Sequence, residues 1–117
     1  KYYRNASDLD LDHIIPLEFA HTRIGYKWSK KRRKDFSLDP LNLILLNKSM
    51  NRSKQSKIFT EWPRQSVRYF CEYLLRSLRV LRKYQIPLTQ AEMIKTRKLS
   101  VENRCRLPDT LDFLIIK

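Results

Sequence analysis

The chain has 117 residues, 42% of them hydrophobic and 32% charged, with a formal net charge of +13. That length fits one domain with a small core, and no apolar run approaches the ~18 residues that suggest a membrane span. Residues 1–62 hold 13 Lys or Arg against 7 acids and residues 63–117 hold 12 against 5, so the fold itself is basic and its natural partner is a polyanion, most simply nucleic acid.

In chain order, the first expected element is a strand over residues 9–17, closed by Pro16 and Leu17. Leu9, Leu11, Ile14, Ile15 and Leu17 supply its apolar residues, and Asp8, Asp10, Asp12 and His13 interrupt them. The single glycine, Gly25, leaves tight left-handed turns scarce and helix the expected filler. SKKRRKDF, residues 29–36, reads as a short helix capped by Ser29. Its basic run, with Arg32 and Arg33, is either a phosphate-facing surface or a solvated face. Asp39-Pro40 marks a turn, and Leu43 to Leu46 has strand length. Residues 48–58 are expected to be helical with Ser49 as the cap.

The longest element is a helix from about Trp62 to Tyr84, with Pro63 in its first turn. Val67, Phe70, Leu74, Leu78 and Leu81 form its apolar stripe, flanked by Cys71 and Leu75. Pro87 ends it. Thr89 then caps a helix from Gln90 to about Leu99, with Glu92 completing a capping box. Residues 111–116 fit a strand or a helix equally. Cys71 and Cys105 form no CxxC pair, so a four-cysteine zinc site is excluded. Cys71 is expected as a buried free thiol, with a single disulfide left open.

Polar residues stand out at Asp12-His13, at Asn42 before the second strand, and at Asn51 in the helix after it. Eight residues separate Asn42 from Asn51, enough for a short strand, a turn and a first helical turn. A hairpin followed by a helix brings the helix start back over the first strand, so Asp12 and Asn51 are expected to face each other. A carboxylate and an amide carbonyl are hard oxygen ligands that suit Mg²⁺. His13 points to the other side of the strand, where a neutral imidazole can take a proton from water. Metal, histidine and water together make a hydrolytic phosphodiesterase site. Arg52, Lys54 and Lys57 are expected to hold the phosphate backbone. Asp10, on the same strand face as Asp12, either assists the metal through water or pairs with a basic side chain; pairing is the preferred reading.

DLDHIIPL, DPLNLILLN and NRSK, with Trp28-Ser29, Phe36 and Glu61-Trp62 between and after them, resemble the HNH endonucleases of the ββα-metal class over residues 8–62. The resemblance implies an α+β fold: a short antiparallel hairpin and helix, packed on a mainly helical C-terminal half (about 62–117), as a single domain over residues 1–117. It implies Asp12 and Asn51 as metal ligands, His13 as general base, and Asn42 tying down the loop and orienting His13. Asn51 in place of the final histidine makes an H-N-N variant and shifts the metal toward Mg²⁺ or Mn²⁺, away from Zn²⁺. The implied product carries a 5′ phosphate, the metal stabilising the leaving 3′ oxygen.

The expected function is therefore metal-dependent cleavage of DNA with low sequence specificity, because no helix-turn-helix or zinc-finger pattern is present. RNA cleavage, or a silent nucleic-acid-binding module, is the alternative. No signal peptide is visible, and the chain starts at Lys1 rather than Met. It is therefore expected to be a fragment or processed form, cytoplasmic or part of a larger polypeptide rather than secreted, with no membrane partner.

Overall fold

Strand β1 (Leu9–His13) pairs antiparallel with β2 (Leu43–Asn47), Leu9 opposite Asn47 and His13 opposite Leu43. This is a computed structural model, and it describes residues 8–61 and 67–107. Among them are this two-stranded sheet and five α-helices, the expected α+β arrangement. Strand alternation divides the hairpin. Leu11 and Leu45 lie opposite each other on an exposed face. Asp10 and Asp12 lie on the other face, opposite Leu46 and Ile44.

The first strand is shorter than expected. It stops at His13, because Ile14 and Ile15 are both fully buried, which consecutive residues of a half-exposed strand cannot be. Pro16 lacks a backbone donor and sits at φ −58°, ψ 144°, as the residue that leads into α1 (Leu17–Arg23). Leu17 thus opens a helix instead of closing a strand, and His21 lies in that helix.

The connection between the strands holds α1, a 3-10 turn (Gly25–Lys27), α2 (Lys30–Leu38) and a second 3-10 turn (Pro40–Asn42). Ser29 caps α2 as expected, its Oγ accepting from the Arg32 amide at 3.1 Å. A Cβ on Gly25 would lie 3.2 Å from the Ala20 carbonyl oxygen and 3.4 Å from the Trp28 ring, so glycine is what lets the turn pass this close to the end of α1.

Helix α3 (Lys48–Lys54) follows β2 directly. Its cap is Asn47, not Ser49: Asn47 Oδ1 accepts from the Met50 amide at 2.7 Å. It ends short of residue 58 because Gln55 adopts φ 51°, a left-handed conformation that stops a right-handed helix.

Helix α4 (Val67–Lys83) carries the core. Phe70, Leu74, Leu78 and Leu81 are buried as expected, and Tyr73, Ser77 and Val80 widen the stripe. The helix closes through Gln85 at φ 54° and a bond from the Ile86 amide to the Leu81 carbonyl at 2.8 Å, a left-handed helix ending. Trp62 and Pro63, and the undecided residues 111–116, lie outside the described residues. Helix α5 (Gln90–Glu102) has its capping box, with Thr89 Oγ1 accepting from the Glu92 amide at 3.1 Å and Glu92 Oε1 accepting from the Thr89 amide at 2.8 Å.

Cys71 is not a free thiol. It forms a disulfide with Cys105, 34 residues away, across a Cα–Cα distance of 5.3 Å. Spacing alone could not pair these cysteines; the turn after α5 brings Cys105 back to α4. For a loop of this size the cross-link is expected to contribute about 3–4 kcal/mol, mainly by restricting the unfolded chain. Thermal melts with and without reductant test this. A large downward shift on reduction, reproduced by Cys71→Ser/Cys105→Ser, is the expected result, and coincident melts would remove the disulfide from any account of stability.

Two acids tie the layers together. Glu92 on α5 receives a two-pronged contact from Arg23 on α1, at 2.6 and 2.8 Å. Asp39 accepts from Lys83 Nζ and the Tyr84 hydroxyl, both at 2.6 Å, and from the Leu41 amide at 2.9 Å. Burial pushes both carboxyls up, but these donors outweigh it and hold both below their ordinary values of 3.8 and 4.5. The same Asp39 environment, burial foremost, pushes the Tyr84 phenol up to about 12. A lowered carboxyl pKa stabilises the fold above the unfolded value and loses that contribution as pH falls through the folded one. The melting temperature is therefore expected to be maintained from neutral pH down to about 5 and to drop below about 4.5, with the drop blunted in Glu92→Gln. A pH series of melts decides it.

Candidate active site

The residues that follow β1 are held from several directions at once. The His13 carbonyl accepts from Lys54 Nζ at 2.9 Å. The Ile14 amide donates to the Asn42 carbonyl at 2.9 Å, and the Ile14 carbonyl accepts from the Tyr73 hydroxyl at 3.3 Å. Burial pushes the Tyr73 phenol far up, which keeps it a donor. Both backbone groups of Ile15 are taken by the Asn42 side chain, amide to Oδ1 at 2.7 Å and carbonyl to Nδ2 at 3.0 Å. Asn42 is fully buried, and its carboxamide acts as a clamp between the end of β1 and the start of β2.

The clamp is braced from α4. Arg76 donates to the carbonyls of Pro40, Leu41 and Leu43 at 2.8, 3.0 and 2.7 Å. One planar guanidinium thus fixes the backbone on both sides of Asn42. This is how the helical half positions the hairpin. Neither Arg76 nor Tyr73 was singled out by sequence; both sit within or beside the apolar stripe of α4, where only packing was legible.

His13 is half-buried at the end of β1. Its Nε2 lies 2.8 Å from the Ser37 carbonyl oxygen. A carbonyl only accepts, so the hydrogen is on Nε2, and in the neutral ring Nδ1 carries the lone pair. The last turn of α2 thereby selects the tautomer of His13.

On the opposite strand face the acids meet α3. Asn51 Nδ2 donates to Asp10 Oδ2 at 3.0 Å, and Lys54 Nζ lies 2.9 Å from Asp12 Oδ2. The expected facing of Asp12 and Asn51 is thus shifted: the amide contacts Asp10, and Asp12 faces a lysine. Asp12 Oδ2 is buried yet has no donor aligned as a hydrogen bond. The Lys54 ammonium reaches it as an ion pair while directing an aligned bond to the His13 carbonyl.

Lys54 corrects a second expectation. It is fully buried and cannot hold a phosphate backbone at the surface. Its place follows from spacing, since residues three apart share a helix face and Asn51 already faces the hairpin. Of the other basic residues, Arg52 is exposed and Lys57 half-buried. Arg33 is exposed but donates to the Gly25 and Tyr26 carbonyls at 3.2 and 3.1 Å. The Arg32 guanidinium lies over the rings of Trp28 and Tyr84, at 5.4 and 5.1 Å.

Among the described residues, no group of three or more His, Cys, Asp or Glu is assembled for a metal. The donor set here is of another kind: two carboxylates, Asp10 and Asp12, and the Asn51 carboxamide. These are hard oxygens suited to Mg²⁺ or Mn²⁺ and not to a zinc site of nitrogen and sulfur. Asp12 Oδ2 accepts no aligned hydrogen bond, so its lone pairs fit such an ion once the Lys54 ammonium, 2.9 Å away, gives way or shares the carboxylate.

Residues 1–97 match the family described as the C-terminal domain of GmrSD restriction endonucleases. An uncharacterized secreted protein of Arthroderma benhamiae is 30% identical over 102 residues, 86% of this chain. The chain spans 49% of that relative's length. No solved structure matches the chain. The secreted relative overturns the expected cytoplasmic location, and the Cys71–Cys105 disulfide agrees with the correction, since such bonds persist in oxidising compartments.

Proposed function

The chain belongs to the family of C-terminal domains of GmrSD restriction endonucleases, which are HNH-type nucleases, and from that premise we propose that it is a metal-dependent endonuclease that hydrolyses DNA phosphodiester bonds. The observation that carries the reading is the bond from His13 to the Ser37 carbonyl. It leaves Nδ1 as a lone-pair nitrogen on a backbone held by Asn42, Tyr73 and Lys54, the positioning a general base requires.

His13 takes the proton of the attacking water at Nδ1. Asn42, Tyr73 and Arg76 hold the backbone behind it, and the Ser37 carbonyl keeps the ring from turning. Asp12 and Asn51, with Asp10 beside them, would hold one divalent ion, Mg²⁺ foremost, which would supply positive charge for the oxygen that leaves. Arg52 and Lys57 are the candidates on and after α3 for backbone phosphates, and Arg32 and Arg33 those on α2. The secreted relative and the disulfide support a site of action outside the cytoplasm.

Supercoiled plasmid incubated with the protein and Mg²⁺ tests the reading. EDTA-sensitive nicking supports it. Retarded mobility without cutting, in Mg²⁺ and Mn²⁺ alike, would favour a nucleic-acid-binding module in which the Lys54 ammonium permanently replaces the metal at Asp12.

A further inference from the structure

An apolar hollow of about 650 Å³ opens between α1 and α2. Leu17, Ala20, Trp28 and Phe36 form its apolar lining. Lys30, Arg33 and Lys34 also line it and outnumber the one acid there, Glu18; all four are exposed. Ser37 lines it too, and Ser37 is the residue whose carbonyl holds the His13 ring. Leu17 is 44% exposed, so its side chain is open to a ligand in the hollow. The hollow therefore adjoins the proposed base and combines an apolar, partly aromatic lining with a cationic rim.

We propose that this hollow is a nucleobase subsite for single-stranded DNA, holding a base next to the phosphate attacked by the water that His13 deprotonates. The assignment rests on the nuclease reading and deepens it. The chemistry selects the occupant. A nucleobase is a flat, weakly polar group on a chain of anions, and such a ligand uses an apolar wall and a rim with excess positive charge together. Stacking and apolar contact with bases tolerate any sequence, which suits an enzyme without a base-reading helix. A neutral lipid or apolar peptide would leave the cations unmatched, and a free phosphate would leave the wall unused.

The test is binding in EDTA, where no cutting occurs. Two labelled DNA hexamers are titrated by fluorescence anisotropy, one with normal bases and one abasic with the same sugar-phosphate backbone. The expected result is about tenfold tighter binding of the base-bearing strand, in line with one well-seated base. Leu17→Asp is expected to abolish that preference while the protein still binds the abasic strand. Lys34→Glu is expected to weaken both. Equal affinity of the wild-type protein for the two strands, or a preference that survives Leu17→Asp, would overturn the subsite. Plasmid nicking by the wild-type protein is scored separately, so the subsite can fail while the nuclease reading stands.

Discussion

His13→Ala is expected to slow Mg²⁺-dependent plasmid nicking by about 10²- to 10⁴-fold, the usual contribution of a positioned acid or base, and to leave the melting temperature nearly unchanged. The separation follows from where the backbone is held. The Asn42 clamp, the Tyr73 hydroxyl and the Lys54 ammonium all grip main-chain atoms of residues 13–15. None of them uses the imidazole, whose described bond is to the Ser37 carbonyl. Removing the ring thus removes a proton acceptor without loosening the segment that carried it. Added imidazole is expected to recover part of the rate. If His13→Ala nicks at the wild-type rate, His13 is not the base, and the Ser37 contact is only structural.

The contrast with Asn42 shows where sequence reading reaches its limit. Both residues belong to one recognisable pattern, and a sequence presents them as equals. Burial separates them. Asn42 is fully buried with both ends of its amide on Ile15, so it acts through the backbone and has no open side for substrate. Elements with local causes were legible: the Ser29 cap, the capping box at Thr89, and the stripe of α4. The end of β1 was not, because what stops it is burial of Ile14 and Ile15 against elements far along the chain. Asp10 and Asp12 were legible as one strand face, but which of them would meet Asn51 depends on the register of α3 over the hairpin. That register begins with the Asn47 cap, two residues before the expected one. The disulfide was hidden for the same reason, since Cys105 approaches Cys71 only after two helices have packed.

Lys54→Met is expected to destabilise the fold by about 2–4 kcal/mol. The estimate lies somewhat below the 3–5 typical of breaking a buried ion pair. Lys54 has no exposed side-chain surface, whereas Asp12 keeps 22% of its own, so water reaches the acid and softens the loss. Methionine keeps most of the length and volume of lysine, so a cavity is not the cause. What disappears is the charge beside Asp12 and the donor to the His13 carbonyl. Two controls separate these. Asp12→Asn in the Lys54→Met background is expected to recover part of the loss, because an uncompensated buried charge goes away while the missing donor does not return. Mg²⁺ is expected to raise the melting temperature of Lys54→Met more than that of the wild-type protein, because a divalent ion at Asp10 and Asp12 then replaces a missing cation instead of crowding one already there. Denaturant unfolding of the three proteins, with melts in Mg²⁺ and in EDTA, measures both effects. If Lys54→Met matches the wild-type stability, the Lys54 ion pair contributes nothing to the fold. An equal Mg²⁺ shift in both proteins would place the ion away from Asp12, and with it the site at which the family chemistry is proposed to run.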